Sequence, residues 1–383
     1  MFLRNRVSAA RFAAPLIVAG LLSACVESQP TAPELAETTR PLQRLECQAS
    51  RTALTVRCTT DLITPEGANA DIIGGQGTNV KLTSSNVAYN SGTEIFSFDV
   101  TIQNLMNEAI GTPDGVIADT SGIRVFFHSG PTVTGGTGLI TVANADGTDT
   151  FTGAGQPYFR YNEILAKDQV SAAKTWQLTI PASVTNFAFT VYVSTEIQPL
   201  LVINEVLANP GGLITDANGE WFEIYNAGSR QVDLQNLVIA DSAASGRRPY
   251  HLIISSVVIP AGGYATLGNT TNTTDNGGVS IDYAYGPFLT LANSLDAVKI
   301  ARVYGMDTLT IDRTQYSSAG VSAQNGISRE LRNPALDNSN MDGSNWGDAS
   351  VTSVYGPGGR GTPKAQNSQF APRPMRAPGQ IIR

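Results

Sequence analysis

Histidine, cysteine and charged residues are scarce in this chain of 383 residues. There are two His and three Cys, and Asp, Glu, Lys and Arg together make up 15% of the sequence. A catalytic triad needs a His that touches both an acid and a nucleophile, and zinc hydrolases need several nitrogen or sulfur ligands. His128 and His251 each border a predicted strand, and we interpret both as exposed residues at strand edges. G-x-S-x-G, H-E-x-x-H and P-loop motifs are also absent, so nucleophilic and zinc catalysis have little support.

Positive charge is also scarce. The 25 Lys and Arg residues are outnumbered by 32 Asp and Glu residues, which leaves a formal net charge of −7. Affinity for nucleic acid depends on clustered Lys and Arg, so we do not expect a nucleic-acid partner. The exception is the end of the chain, where residues 369–383 are rich in Pro and Arg. We predict a disordered tail there, with acidic lipid or polysaccharide as its possible contacts.

The first residues have the organisation of a secretory signal, which we assign to residues 1–24. Three Arg residues precede an apolar run over residues 12–22, whereas a membrane span needs about 20 apolar residues. The stretch LSAC at residues 22–25 resembles the lipobox of bacterial lipoproteins. This resemblance implies cleavage before Cys25 and attachment of lipid to that residue. An ordinary cleaved signal with an incidental Cys is the alternative.

The same resemblance bears on the location of the protein. Several acyl chains anchor a protein stably, whereas one chain holds it only marginally. Val26, rather than Asp, follows Cys25, and in Gram-negative lipoproteins this implies the outer membrane, in either leaflet. No other apolar run is long enough to cross a bilayer. We therefore expect a cell-envelope protein anchored by lipid, with residues 25–42 as a tether rich in Pro, Thr and Glu.

The two remaining cysteines, Cys47 and Cys58, are close in sequence. A hairpin that turns at Thr52-Ala53 would place them opposite each other. Leu45 and Ala49 would then share a face with Leu54 and Val56. Export permits oxidation, so the spacing predicts a structural disulfide.

Strand signals dominate the remainder of the sequence. Gly (37 residues) and Pro (20 residues) are abundant, and short alternating segments are separated by turn residues. In residues 93–105, for example, Phe96, Phe98, Val100 and Ile102 fall on one side. Many short strands of this kind are typical of an antiparallel sandwich. We therefore predict an all-β protein with two antiparallel β-sandwich domains, the first over residues 43–197 and similar to immunoglobulin-like modules of bacterial surface proteins.

The second domain has a more specific resemblance, which begins immediately after Gln198-Pro199. Its segments resemble, in order and spacing, those of the bacterial lamin-tail domain: LVINEVLANPGG (201–212), DANGEWFEIYNAG (216–228), QVDLQNLVIAD (231–241), VIPAGGYATLG (258–268), LDAVKIARVYG (295–305), GISRE (326–330), SNW (344–346) and GTPKAQN (361–367). The resemblance implies an immunoglobulin-like sandwich over residues 199–368 that is found on secreted and surface proteins and is not known as a catalyst. Lys364 departs from the family, which more often has Gly there, and this leaves the conformation of the last turn open.

The stretch GEWFEIYN (219–226) places two carboxylates among three aromatic rings. In a strand, side chains alternate between faces, so Phe222 and Ile224 would face the core. Glu220 and Glu223 would lie on opposite faces, which excludes a shared catalytic cleft of the glycosidase type. We interpret the stretch as a strand whose acids face water.

Glu205 and Glu223 would become neighbours if their strands are adjacent. Two such acids repel unless a cation or a proton intervenes. Asp216 and Asn218 precede the second strand and would add the oxygen ligands that hard cations prefer. The simpler alternative, which we favour, is that both Glu side chains bond to backbone at a strand end.

The stretch DNSNMDGSNWGD (337–348) resembles the start of a calcium-binding EF-hand loop through Asn338, Asn340 and Asp342. A bidentate Glu belongs at the twelfth position, which is Ala349 here, and flanking helices are missing. We therefore favour a polar loop leading to Trp346, which would close one end of the sandwich, and no cofactor.

The sequence leaves several functions open. The first is a non-catalytic envelope protein whose lamin-tail domain binds or adheres to a protein or polysaccharide. A metal-dependent hydrolase or a calcium-dependent adhesin that uses the acidic residues named above is the alternative. A subunit of a larger surface complex is a further hypothesis, and fold resemblance does not separate these three.

Overall fold

The computed structural model describes residues 44–61, 72–241, 250–304, 307–357 and 359–372. The predicted signal, the lipidation site Cys25 and the tether lie outside these ranges, as do residues 373–383 of the predicted tail. Among the described residues, no helix is long and apolar enough to cross a membrane.

The amino-terminal part of the described chain is built from β-strands. They are β1 (Arg44–Ser50), β2 (Thr55–Asp61), β3 (Ile72–Ile73), β4 (Val80–Asn90), β5 (Ile95–Asn104), β6 (Ile123–Gly136), β7 (Thr141–Val142), β8 (Gly147–Asp149), β9 (Gln156–Tyr161), β10 (Lys174–Thr179) and β11 (Val184–Ser194). One sheet has the order β2-β1-β11-β6-β9-β8, with β3 also paired to β11, and the other has the order β4-β5-β10-β7.

The inner faces of these two sheets share one aromatic core. The predicted alternation of β5 is confirmed, since Phe96, Phe98, Val100 and Ile102 are all buried. The ring of Phe96 contacts that of Phe187 on β11 at a centroid distance of 5.5 Å. Burial of such rings from both sheets is the main stabilising term of a sandwich.

The predicted disulfide is present at the edge of this sandwich. Cys47 lies directly opposite Cys58 in the β1–β2 pairing, and the two sulfur atoms are bonded. The turn covers residues 51–54, in agreement with the predicted hairpin. Leu54 is an exception to the predicted shared face, because it lies in the turn with 45% of its surface exposed.

The carboxy-terminal part contains a second set of strands and two short helical turns. The elements are β12 (Leu201–Leu207), α1 (Asp216–Gly219), β13 (Trp221–Asn226), β14 (Val232–Asp233), β15 (Leu237–Asp241), β16 (His251–Leu252), β17 (Val258–Ile259), β18 (Tyr264–Gly268), β19 (Tyr283–Ala284), a 3-10 turn (Gly286–Phe288), β20 (Asp296–Tyr304), β21 (Asp307–Tyr316), β22 (Arg329–Leu331), β23 (Trp346–Asp348), β24 (Val354–Gly356) and β25 (Gly359–Arg360). The main sheets have the orders β19-β18-β13-β12-β22-β23 and β16-β15-β20-β21.

These two sheets enclose a separate hydrophobic core. Phe222 and Ile224 of β13 belong to the same buried cluster as Ile239 of β15 and Ile300 of β20. The prediction that Phe222 and Ile224 face the core is therefore confirmed. The described chain is all-β in class, with two sandwiches and almost no helix.

The two sandwiches meet at a joint that is built around one buried carboxylate. Glu108, with 3% of its surface exposed, accepts hydrogen bonds from the backbone N–H of Ser229 at 2.7 Å and from its hydroxyl at 2.6 Å. The backbone N–H of Arg230 donates to the same carboxylate at 3.1 Å. Arg302 and Glu196 add an ion pair at 2.6 Å. Hydrogen bonds to a buried charged group are the strong ones, so this joint restricts motion between the sandwiches.

Candidate functional site

The stretch GEWFEIYN forms β13, as predicted, but its acids do not face water. Glu220 has 2% and Glu223 has 0% of its surface exposed. The interpretation of both as solvated side chains was therefore wrong. An ionised carboxylate without a partner is costly to bury, so their surroundings decide what they do.

The outer face of β13 is covered by later parts of the chain. Trp221 packs edge-on against Tyr355 with ring centroids 5.7 Å apart, and it forms a small apolar cluster with Leu207 and Val279. We define residues 359–372 as the carboxy-terminal segment, and this segment lies over Glu223 through Lys364. Side chains that alternate outward from β13 are therefore buried beneath a second layer.

Three glutamates form one cluster beneath this segment. Glu205 on β12 lies directly opposite Glu223 on β13, which confirms that these two residues are neighbours. Glu205 also lies opposite Glu330 on β22, and Glu330 has 0% of its surface exposed. We call these three residues the glutamate cluster. Sequence reasoning missed Glu330 because its strand is short and its pairing with β12 is long-range.

Each carboxylate of the glutamate cluster accepts a backbone N–H from the carboxy-terminal segment. Glu205 accepts from Thr362 at 2.9 Å, and Glu223 accepts from Lys364. Glu330 accepts from Gln369 at 2.9 Å. The simpler alternative, bonding to backbone, is what the structure contains, although Glu205 and Glu223 lie within their strands rather than at the ends.

Side chains complete the hydrogen bonding of the cluster. Ser328 donates its hydroxyl to Glu205 at 2.5 Å, and Ser368 donates to Glu330 at 2.7 Å. Asn204 donates its amide to Glu223 at 2.7 Å. The donors come from the protein itself, so this arrangement ties the carboxy-terminal segment to the sheet.

The hydroxyl of Thr362 lies between two carboxyl groups of the cluster, an arrangement that favours a protonated carboxyl group. Its Oγ1 lies 3.1 Å from Oε2 of Glu205 and 3.0 Å from Oε1 of Glu330. A hydroxyl has one proton and can donate to only one of these oxygens. The other contact is a hydrogen bond only if that carboxyl group is itself protonated and donates to Thr362.

Burial also favours a protonated carboxyl group in the glutamate cluster. It raises the pKa of Glu205 to about 8, with the charge of Glu330 adding to the effect. Burial is also the largest cause that raises the pKa of Glu223 and of Glu330. Desolvation and nearby like charges both favour the neutral form of a carboxyl group.

Lys364, the departure from the lamin-tail pattern, adopts a left-handed backbone conformation with φ of 64°. This conformation suits Gly better than a residue with a Cβ atom. The Nζ of Lys364 forms an ion pair with Asp282 at 2.7 Å. The turn therefore has the left-handed backbone conformation that Gly adopts easily, and the Lys side chain adds the ion pair with Asp282.

A second acidic cluster lies near the start of β13 and consists of Glu220, Asp241 and Asp296. These carboxylates accept the backbone N–H groups of Leu291, Thr290 and Ala292, at 2.8, 3.0 and 2.9 Å respectively. Burial, followed by the charges of neighbouring aspartates, raises the pKa of Glu220 to about 8. This cluster holds a loop in the same way that the glutamate cluster holds the carboxy-terminal segment.

Of the proposed cation ligands, Glu205 and Glu223 are neighbours, whereas Asp216 and Asn218 do not join this buried pair. Asp216 is exposed on α1 together with Asn218, and its carboxylate accepts a hydrogen bond from Asn293 at 3.1 Å. In the part of the chain that the structure describes, no group of three or more His, Cys, Asp or Glu residues is arranged to hold a metal ion.

The loop over residues 337–348 follows the simpler interpretation. Asn338 donates its amide to the carbonyl of Ile203 at 3.0 Å, whereas Asp342 accepts the N–H of Ser317 at 2.9 Å. Asn340 accepts the N–H of Asp342 within its own turn. The three predicted calcium ligands therefore serve separate contacts. Trp346 is buried in the second core, as predicted.

The prediction of two exposed histidines was wrong. His128 lies within β6, is half-buried and packs against the ring of Tyr192 at 5.0 Å. His251 opens β16 as expected, but it is half-buried and bonded to the hydroxyl of Tyr283 at 2.8 Å. Burial lowers the pKa of His251. Neighbouring rings therefore cover both side chains.

The sheet arrangement of the second sandwich is immunoglobulin-like. Residues 196–338 match the family model of the Lamin Tail Domain, which agrees with the resemblance seen in the sequence. The match includes the three carboxylates of the glutamate cluster but ends before the carboxy-terminal segment that they bind. No curated protein and no solved structure matches the chain.

Proposed function

We propose that the protein is a non-catalytic, lipid-anchored component of the cell envelope. Its lamin-tail sandwich acts as a binding module, and the amino-terminal sandwich holds that module in a fixed orientation. The observation that carries this proposal is the joint around Glu108, because a module that presents a binding surface benefits from a rigid support. The buried glutamates accept hydrogen bonds from backbone N–H groups of the same chain. This also supports a structural role for these residues.

Capture of an envelope component tests this role. Immobilised mature protein, incubated separately with detergent-solubilised envelope proteins and with sheared envelope polysaccharide, is expected to retain a component of one fraction. The same resin with the lamin-tail sandwich blocked by an antibody serves as the control. Failure to retain anything from either fraction would contradict the proposal.

Lipid anchoring has its own test at Cys25. We expect the Cys25→Ser variant to leave the membrane fraction and appear as an unprocessed or soluble form, because the thiol is the proposed acylation site. Cell fractionation with metabolic labelling by a fatty acid measures both effects. Unchanged membrane association and labelling would show that residue 25 carries no lipid.

The Glu108→Ala variant is expected to loosen the joint between the sandwiches. The change leaves three donors in Ser229 and Arg230 without their acceptor, and each buried unpaired donor costs about 1–3 kcal/mol. Calorimetry should then resolve two transitions that are better separated than in the wild type. Small-angle scattering should also report a broader range of dimensions.

Glu108→Gln is the matched control for this variant. Its amide oxygen can still accept the two backbone N–H groups that Oε1 of Glu108 binds, so most of the joint should remain. An Ala variant with wild-type scattering and melting would remove the support for a rigid joint.

A further inference from the structure

The outer face of the sheet β16-β15-β20-β21 carries two cations in an unusual arrangement. Lys299 on β20 lies directly opposite Arg313 on β21, so their side chains project from the same face. Like charges that are directly opposite in a sheet are destabilising. The arrangement is notable in a protein with a formal net charge of −7.

No acid of the described residues neutralises this pair. The Nζ of Lys299 lies over the ring of Tyr250, 5.2 Å from its centroid, and Arg313 donates to the side chain of Gln315 at 3.0 Å. The acidic side chains of β20 and β21 do not lie beside the two cations. Asp296 is buried on the inner face, and Asp312 accepts the backbone N–H of Ile203 at 2.6 Å. Asp307, at the exposed start of β21, pairs with Tyr304, so its side chain projects from the opposite face of the sheet.

Polar and aromatic groups surround the two cations. Thr308 shares a hydrogen bond of 3.1 Å with the hydroxyl of Tyr250, and Tyr250 itself has 46% of its surface exposed. We call the set Tyr250, Lys299, Thr308, Arg313 and Gln315 the basic face. The residues two positions from Lys299 on its own strand, Ala297 and Ala301, are small and buried.

We propose that the basic face binds an anionic polysaccharide. Lys299 and Arg313 would pair with acidic groups on successive sugars, and the hydroxyl and amide groups of the face would bond to sugar hydroxyls. An aromatic ring such as Tyr250 offers an apolar surface for a sugar ring.

Val303 and Leu252 are also exposed on this side of the sheet, so a lipid surface, which is engaged by protruding large apolar side chains, is the competing ligand. The polysaccharide is favoured because Thr308, Gln315 and the hydroxyl of Tyr250 place hydrogen-bonding groups beside the cations.

This inference rests on the proposed binding role of the lamin-tail sandwich and names its ligand class. The probe is polygalacturonate, with uncharged dextran of similar length and phosphatidylglycerol vesicles for comparison. We expect mature protein to bind polygalacturonate and not dextran. Binding should weaken as salt increases, because exposed charges are screened.

The double variant Lys299→Gln/Arg313→Gln tests the face itself. Hydrogen bonds to charged groups are among the strong ones, so affinity for polygalacturonate should fall by roughly tenfold or more. The variant should melt at or above the wild-type temperature, because the repulsion between the two cations is gone. Lys299→Arg/Arg313→Lys keeps both charges and should keep the binding.

Arg57→Gln/Lys81→Gln is the matched control, since both residues are exposed on the amino-terminal sandwich and the change in net charge is the same. Wild-type affinity in Lys299→Gln/Arg313→Gln, or an equal loss in the control, would overturn the inference. Wild-type affinity in Lys299→Gln/Arg313→Gln would instead indicate that the Arg-rich tail binds polygalacturonate. Preference for the vesicles would assign the face to lipid.

Failure of the inference is distinguishable from failure of the proposed function. If envelope components are captured but polygalacturonate binding is absent or independent of Lys299 and Arg313, only the inference is wrong. If no envelope fraction and no polysaccharide binds, the binding role itself is wrong.

Discussion

Replacement of Glu205 by Ala is expected to lower the free energy of unfolding by about 3–5 kcal/mol. Each buried donor left without an acceptor costs about 1–3 kcal/mol. The substitution removes the acceptor of the Ser328 hydroxyl and of the Thr362 backbone N–H. It also leaves a cavity, which adds to the cost. The effect should be largest in the carboxy-terminal segment, which loses one of its three carboxylate contacts.

Denaturant unfolding of the mature protein measures the loss of stability. Hydrogen exchange of residues 359–372 shows where the loss occurs, and the backbone N–H of Thr362 should exchange faster than in the wild type. Exchange in β5 of the amino-terminal sandwich should be unchanged, because that strand belongs to a separate core.

Glu205→Gln separates the shape of the side chain from its charge. If Oε2 of Glu205 carries the proton that is donated to Thr362, the Gln amide reproduces that donor, and its carbonyl oxygen retains the two acceptor bonds. We expect a change below about 1 kcal/mol for this variant. A Gln variant as unstable as the Ala variant would show that Glu205 is ionised. A harmless Ala substitution would show that the cluster does not hold the segment.

Stability is expected to increase as the pH is lowered from 8.5 to 6.5. Burial raises the pKa of Glu205 and of Glu220 to about 8, whereas a carboxyl group of an unfolded chain titrates near 4.3. Between these values the folded protein binds protons that the unfolded chain does not bind. Stability that depends on these protons is fully present below the unfolded pKa and is lost as the pH rises through the folded pKa.

The size of this effect follows from proton linkage. A carboxyl group with a pKa of about 8 contributes roughly 2 kcal/mol between pH 8.5 and pH 6.5. Burial raises the pKa of Glu220 to a similar value, so this residue adds a contribution in the same direction. The sum corresponds to an increase in melting temperature of about 5 °C or more for a domain of this size.

Melting curves at several pH values test this expectation at constant ionic strength. The lower limit of pH 6.5 keeps the contribution of His251 small. Its lowered pKa has the opposite sign, and a histidine of the unfolded chain titrates near this limit. The lowered pKa of Asp114 acts only in a more acidic range. Glu205→Gln should have a flatter pH profile than the wild type. A wild-type stability that is constant or increases towards pH 8.5 would mean that these carboxyl groups are ionised in the folded state.

Local patterns in the sequence predicted many elements of the fold. Alternation in residues 93–105 placed Phe96 and Phe98 in the core, and the spacing of Cys47 and Cys58 indicated their disulfide. Both depend on residues that are close in sequence, where strand periodicity and hairpin geometry leave few alternatives. Glu205 and Glu223 were predicted to be neighbours only if their strands are adjacent. The structure shows that β12 and β13 are adjacent.

The environment of the acids could not be predicted in this way. Alternation separates Glu220 and Glu223 onto two faces, but it does not say what covers either face. Glu330 joins Glu205 across more than a hundred positions of sequence, and Thr362 closes the cluster from further along the chain. Such contacts depend on how layers pack, which no local pattern encodes.

The sequence by itself determined the all-β class, the Cys47–Cys58 bridge and the resemblance to the lamin-tail domain. Each of these rests on composition or on short-range spacing. Only the tertiary structure decided that the acids of GEWFEIYN are buried and that the three glutamates hold the carboxy-terminal segment. It also decided that Lys299 and Arg313 lie side by side on one face, where no acid of the described residues neutralises them. The physical reason is that burial and charge pairing are set by contacts between distant segments, and these contacts exist only once the sheets have packed.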